Sequence, residues 1–176
     1  MVLCLKAWKS RSLPGLKFSE KLLINKFKVL TIIPARENSK GLKNKNKLLF
    51  KGKPLFFYPI KASIKSKFVD KIIISSDDKK ILNYSNKFKN KKIEFLKRPK
   101  SLATDKSKTF DVIDHSLKYL SKKNQDFDYV VLLEPTSPLT THEDVDYTIK
   151  KLHLNRKKAD SLVSLTKNEK YHPNFN

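Results

Sequence analysis

A chain of 176 residues and 20.5 kDa, 39% hydrophobic and 32% charged, can build one globular core and is not a disordered polymer. No apolar run exceeds five residues, against the ~20 that cross a bilayer as a helix; the single cysteine, Cys4, excludes a disulfide framework or Cys-rich zinc site and suits a reducing cytoplasm. The formal charge of +22 is nearly all lysine, with arginine only at positions 11, 36, 98 and 156, and its spread along the whole chain reads as a solvated lysine surface rather than a nucleic-acid footprint.

Residues 1–27 are basic, carry one acid (Glu20) and show no sustained period. The Val2–Leu5 run is too short for a signal-peptide core of ~7–15 apolar residues. A transit peptide would share this composition; the expected reading is a disordered tail or a misplaced start, with the domain proper at 28–176. From Lys28 strands alternate with helices. Val29–Ile33 reads as a buried strand ended by Pro34. After the polar stretch Arg36 to Lys47, Pro54 is expected to open a helix reaching about Lys67. Lys71–Ser75 is the second strand, and Asp77-Asp78 suit a helix N-terminus. Ile93–Lys97 is a weaker third strand. Phe110, Ile113, Leu117 and Leu120 mark an amphipathic helix from about Thr109. Tyr129–Leu133, Asp144–Leu154 and Ser161–Leu165 read as strand, helix and strand.

This alternation predicts an α/β fold with right-handed crossovers and a mostly parallel sheet. Ligands in such sheets sit beyond the carboxyl ends of the strands, where strand order reverses. The loops after Ile33, Ser75 and Leu133 are therefore where chemistry is expected. The first of them, with Arg36, Lys40, Lys43, Lys45 and Lys47 around Gly41, can wrap a polyphosphate with lysine charges and backbone N–H groups. It is neither a Walker loop nor a dinucleotide fingerprint. The four histidines lack metal-ligand spacing; His115 reads as a packed structural histidine.

Four blocks, in order, carry a resemblance: ARENSKGLKNKN (35–46), IIISSDD (Ile72–Asp78), RPKSLATDKSKTFDVIDH (Arg98–His115) and VLLEPTSPL (Val131–Leu139). Together they resemble the CMP-sialic acid synthetases, the acylneuraminate cytidylyltransferases, from about Lys28 to Pro173. The resemblance implies a Rossmann-like three-layer nucleotidyltransferase domain. It implies that Arg36, Lys40, Lys45 and Asn46 contact the triphosphate and ribose of CTP, with Lys45 on the α-phosphate and Arg36 beside it as the catalytic cations. Ser39 and Gly41 would lend backbone donors, and Arg98 and Thr109 would border the nucleotide. Asp77 would bind Mg²⁺, its competing reading being a helix N-cap. Glu134, Thr136 and Ser137 would meet the sugar. The family more often has Gln at position 134 and Arg at position 140, so the sugar acid is open among N-acetylneuraminate, legionaminate, pseudaminate and 3-deoxy-manno-octulosonate.

The implied reaction transfers CMP from CTP to the anomeric hydroxyl of such an acid. The resemblance further implies a homodimer and a later segment, beyond Asn176, with a second metal carboxylate. The 176 residues alone are thus expected to be C-terminally truncated, weak or inactive in catalysis, and able to hold CTP loosely. The rival reading from another class is a lysine-rich nucleic-acid-binding module, which would cluster basic residues with aromatic stacking positions.

Overall fold

A computed structural model describes residues 2–6, 27–37, 42, 44–104 and 107–165. Its main sheet has six strands: β1 (Val2–Lys6), β2 (Val29–Pro34), β5 (Lys71–Ser76), β6 (Ile93–Lys97), β7 (Tyr129–Leu133) and β8 (Ser161–Val163), in the order β6-β5-β2-β7-β1-β8. A small hairpin pairs β3 (Leu49–Phe50) with β4 (Lys53–Pro54). The helices are α1 (Phe57–Lys65), α2 (Lys79–Asn83), α3 (Thr109–Ser121) and α4 (His142–Leu154). Strands β6, β5, β2 and β7 pair in parallel, as the alternating pattern predicts.

The sheet is covered on both faces, which is why its strands read as near-continuous apolar runs. On one face Ile33, Ile72, Ile74, Val131 and Leu133 pack with Ile60 of α1, Ile81 of α2 and Val145, Ile149 and Leu152 of α4. On the other, Leu30, Ile32, Ile73, Val130 and Leu132 pack with Ile113 and Leu120 of α3. Each fully buried Ile or Leu contributes about 1.5–3 kcal/mol by leaving water. The three layers are thus helix, sheet, helix.

The expectation of an unstructured tail fails at both ends of residues 1–27. Val2–Lys6 is an antiparallel strand between β7 and β8, Val2 facing Leu133 and Lys6 facing Tyr129. Its alternation places Val2 and Cys4 in one core and Leu3 and Leu5 against the other, so a short apolar run serves as a doubly covered strand. Phe27 stacks on His153 at 4.4 Å and meets Tyr129 edge-on at 5.3 Å. The remainder of that segment, 7–26, lies outside the described residues.

Two boundaries also move. Pro54 closes the β3–β4 hairpin instead of opening a helix; Lys51 and Gly52, with φ 45° and 75°, form the left-handed turn that two-residue hairpins prefer. The first-turn proline of α1 is Pro59. Helix α4 starts earlier than expected because Thr141 caps it: its hydroxyl accepts from the Asp144 N–H, and the Asp144 carboxylate accepts from the Thr141 N–H at 2.8 Å.

Candidate active site

Strand order runs outward from β2 through β5 to β6, then returns to β7 on the other side of β2. The reversal opens a crevice beyond the carboxyl ends of β2 and β7, where α/β sheets place their ligands. A cleft of about 330 Å³ lies there, lined by Pro34 at the end of β2 and Arg36 just beyond it, Lys45 and Asn46, Arg98 after β6, and Glu134, Pro135 and Thr136 after β7. Leu102, Thr104, Ser107, Lys108, Thr109 and Val112 complete the wall. Arg36, Lys45, Arg98 and Lys108 face a single carboxylate, Glu134, so the cleft is built for an anion.

Four consecutive residues at the end of β5 set this edge. Ser75 holds Arg98: Nε donates to Ser75 Oγ at 3.1 Å and a terminal guanidinium nitrogen to the Ser75 carbonyl at 2.8 Å. Ser76 Oγ donates to the Ala35 carbonyl at 2.6 Å, fixing the start of the basic loop. Asp77 Oδ1 accepts the Glu37 N–H at 2.9 Å, and Asp78 Oδ1 accepts the Lys80 N–H at 2.7 Å. The helix cap is therefore Asp78, and the competing role considered for Asp77 falls away. Arg98 is only 4% exposed. Burial lowers its guanidinium to about 10, with Asp77 opposing and Arg36 reinforcing the shift, so it stays cationic at neutral pH.

Of the residues singled out from sequence, Arg36, Lys45, Asn46, Arg98, Thr109, Glu134 and Thr136 come together in the cleft. Ser39, Lys40 and Gly41 lie outside the described residues. Ser137 is absent from the lining; its N–H donates to the Glu134 carbonyl in the turn after β7. Asn46 has a tethering duty as well, its side-chain amide donating to the Arg36 carbonyl at 2.8 Å. Lys47, counted among the phosphate-wrapping lysines, is not in the cleft: its ammonium lies 2.5 Å from Asp78. Sequence reasoning missed Lys108 and the hydroxyls of Thr104 and Ser107, which bond to each other at 2.9 Å. The signal was present, since all three fall inside the third motif block. His115, expected as a packed histidine, has a buried Nδ1 without a hydrogen-bond partner among the described residues. Its pKa is lowered by burial and by Arg98.

Among the described residues no three His, Cys, Asp or Glu side chains form a metal cage. Asp77 offers one carboxylate at the sheet edge, and its Oδ2 has no hydrogen bond among those residues. That fits Mg²⁺, which takes few protein ligands and completes its octahedron with phosphate and water oxygens.

The model of the cytidylyltransferase family matches residues 30–176. The chain is 36% identical over 143 residues to the N-acylneuraminate cytidylyltransferase of Escherichia coli O18:K1:H7, covering 81% of this chain and 32% of that one. It is 34% identical over 131 residues to the pseudaminic acid cytidylyltransferase of Campylobacter jejuni serotype O:2, covering 74% of this chain and 56% of that one. It therefore spans between a third and somewhat over half the length of these relatives. The solved structure of a CMP:2-keto-3-deoxy-manno-octonic acid synthetase complexed with CTP superposes with a TM-score of 0.57 at 19% identity, over 73% of this chain and 48% of that one, a likeness of fold. No helix among the described residues is long and apolar enough to cross a membrane. With the family model covering most of its length, the chain belongs to the cytidylyltransferase family.

Proposed function

We propose that this chain takes CTP into the cleft beyond β2 and β7 and transfers CMP to the anomeric hydroxyl of a nonulosonic sugar acid. The observation that carries the reading is the lining itself, Arg36, Lys45, Arg98 and Lys108 against one carboxylate at the topological switch point. The sugar oxygen bonds to the α-phosphorus, the bond from that phosphorus to the bridging oxygen breaks, and pyrophosphate departs. The hydroxyl proton passes to solvent water.

Most of the catalysis is positioning and charge neutralisation. Lys45 meets the α-phosphate, where an ammonium counts most as negative charge grows in the transition state. Arg36, tied through its carbonyl to Asn46, neutralises the phosphates beside it. Arg98, held by Ser75, is pre-positioned and needs no reorganisation when the nucleotide arrives. Thr109 borders the nucleotide, and Thr104 and Ser107 offer hydroxyls to its polar edges. Asp77 would hold Mg²⁺, which when bound supplies charge neutralisation on the triphosphate. Ser39, Lys40 and Gly41 complete the loop's donors in this reading.

The relatives are named for N-acylneuraminate and for pseudaminic acid, and N-acetylneuraminate is our first choice of acceptor. Legionaminate and pseudaminate follow, then 3-deoxy-manno-octulosonate. Glu134 and Thr136, with Ser137 behind them, form the sugar side. The Glu134 carboxylate repels the acceptor's own carboxylate and so favours a pose with that group turned toward the cations. A cytoplasmic homodimer completes the reading, and light scattering tests the dimer.

The purified chain is incubated with CTP, Mg²⁺ and each of the four acids, and products are read by mass. A CMP-sugar from one acid is expected. Equal pyrophosphate release from ATP and CTP, with no CMP-sugar, would overturn the proposal.

A further inference from the structure

We infer that the ion pair between Lys47 and Asp78 is a positioning latch that holds Lys45 and Asn46 in the cleft. The inference rests on the reading of that cleft as a nucleotide site.

Lys45–Lys47 is one turn of 3₁₀ helix, entered from Asn44 in the left-handed region at φ 58°. Its first two residues line the cleft, and its third turns away to Asp78 at 2.5 Å. The two side chains are 23% and 2% exposed, so this is an interior pair rather than a screened surface contact. Asp78 cannot follow a moving lysine. Its Oδ1 accepts from the Lys80 and Ile81 N–H groups, and its own N–H donates to Ser76 Oγ at 3.0 Å. Ser76 in turn donates to the Ala35 carbonyl, and Asn46 donates to the Arg36 carbonyl.

These links close a ring: Ala35 to Ser76, through Asp78 to Lys47, back along the turn to Asn46, and to Arg36 beside Ala35. The two cleft cations that the ring spans, Arg36 and Lys45, are thereby held in fixed relation. Lys47 is the sole side-chain link from the turn to the end of β5 among the described residues. Removing either partner leaves the other charge buried, which is worse than removing both.

Three variants test the latch: Lys47→Met, Lys47→Arg and the double Lys47→Met/Asp78→Asn, in which Asn keeps an oxygen for the α2 cap. Hydrogen exchange is followed at the Lys45, Lys47 and Leu48 amides, which bond within the turn at 3.1, 2.8 and 3.1 Å, and CTP affinity by calorimetry. In Lys47→Met those amides exchange about tenfold faster while β5 amides keep their protection, and CTP binds about tenfold more weakly. Lys47→Arg restores both to within about threefold, because the charge is kept. The double variant stays folded and retains the weak binding.

Unchanged exchange in Lys47→Met overturns the latch. Faster exchange with CTP affinity intact also overturns it, since the pair would then be structural only. A wild-type chain that takes no CTP at all overturns the nucleotide reading itself.

Discussion

Replacing Arg98 by lysine keeps the charge in the cleft and removes the planar fork. The native guanidinium satisfies two acceptors of Ser75, Oγ at 3.1 Å and the carbonyl at 2.8 Å, in a place that is 4% exposed. A lysine ammonium carries its donors on a point and serves at most one of them in that geometry. The lost bond and the buried acceptor left unsatisfied together cost about 2 kcal/mol. For a chain of this length that lowers the melting temperature by about 4–8 °C. The charge itself stays, so CTP binding weakens by about tenfold rather than vanishing. Circular-dichroism melts and calorimetric CTP titrations of wild type, Arg98→Lys and Arg98→Ala measure both effects. Alanine should match lysine in stability loss or exceed it, and lose far more CTP affinity. A lysine variant with wild-type melting and wild-type CTP affinity would refute the argument that the fork holds this side of the cleft.

Lys45→Ala should lower kcat by about a hundredfold while the KM for CTP changes by less than about threefold, as expected for a contact made mainly in the transition state; steady-state pyrophosphate release decides. Asp77→Asn should shift the Mg²⁺ activation curve several-fold upward with melting unchanged, since Asp78 caps α2; an unshifted curve would remove Asp77 from the metal site. Burial, helped by Arg156 and opposed by Asp128, pushes His153 down to about 4. Its contribution to stability is therefore present above pH 6.5 and lost as pH falls toward 4. The magnitude is about 1–2 kcal/mol after discounting for partial exposure. Urea titrations at pH 7.5 and 4.5 should differ less in His153→Gln than in wild type. Cys4 is fully buried in β1 and its thiol pushed up to about 12 by burial. A thiol reagent should modify it at least about a hundredfold more slowly in native protein than in urea, and fast native labelling would count against the docking of β1.

The parallel part of the sheet was legible because doubly covered strands leave an apolar signature, as in Ile72–Ile74 and Tyr129–Leu133. Strand β1 was not, because four apolar residues carry the same signal in a tail as in a sheet, and only a distant partner, β7 at Tyr129–Leu133, decides between them. The β3–β4 hairpin hid behind Pro54, a residue as much at home at a strand end as at a helix start. Within the site, the motif blocks named the cleft residues Arg36, Lys45, Asn46, Arg98, Thr109, Glu134 and Thr136. The supporting duties of Ser75, Ser76, Asp78 and Lys47 are long-range hydrogen bonds and an ion pair. Nothing in residue type distinguishes Lys47 from Lys45; the direction of each side chain does.

Whether the cleft is a CTP site is measured directly by calorimetry of the purified wild-type chain. CTP with Mg²⁺ should bind at one site, at least about tenfold more tightly than ATP or GTP, and binding should fall sharply in Arg36→Ala and Arg98→Ala. Equal affinity for all nucleotides, or binding of duplex DNA that outlasts loss of Arg36 and Arg98, would contradict the assignment of the cleft to CTP.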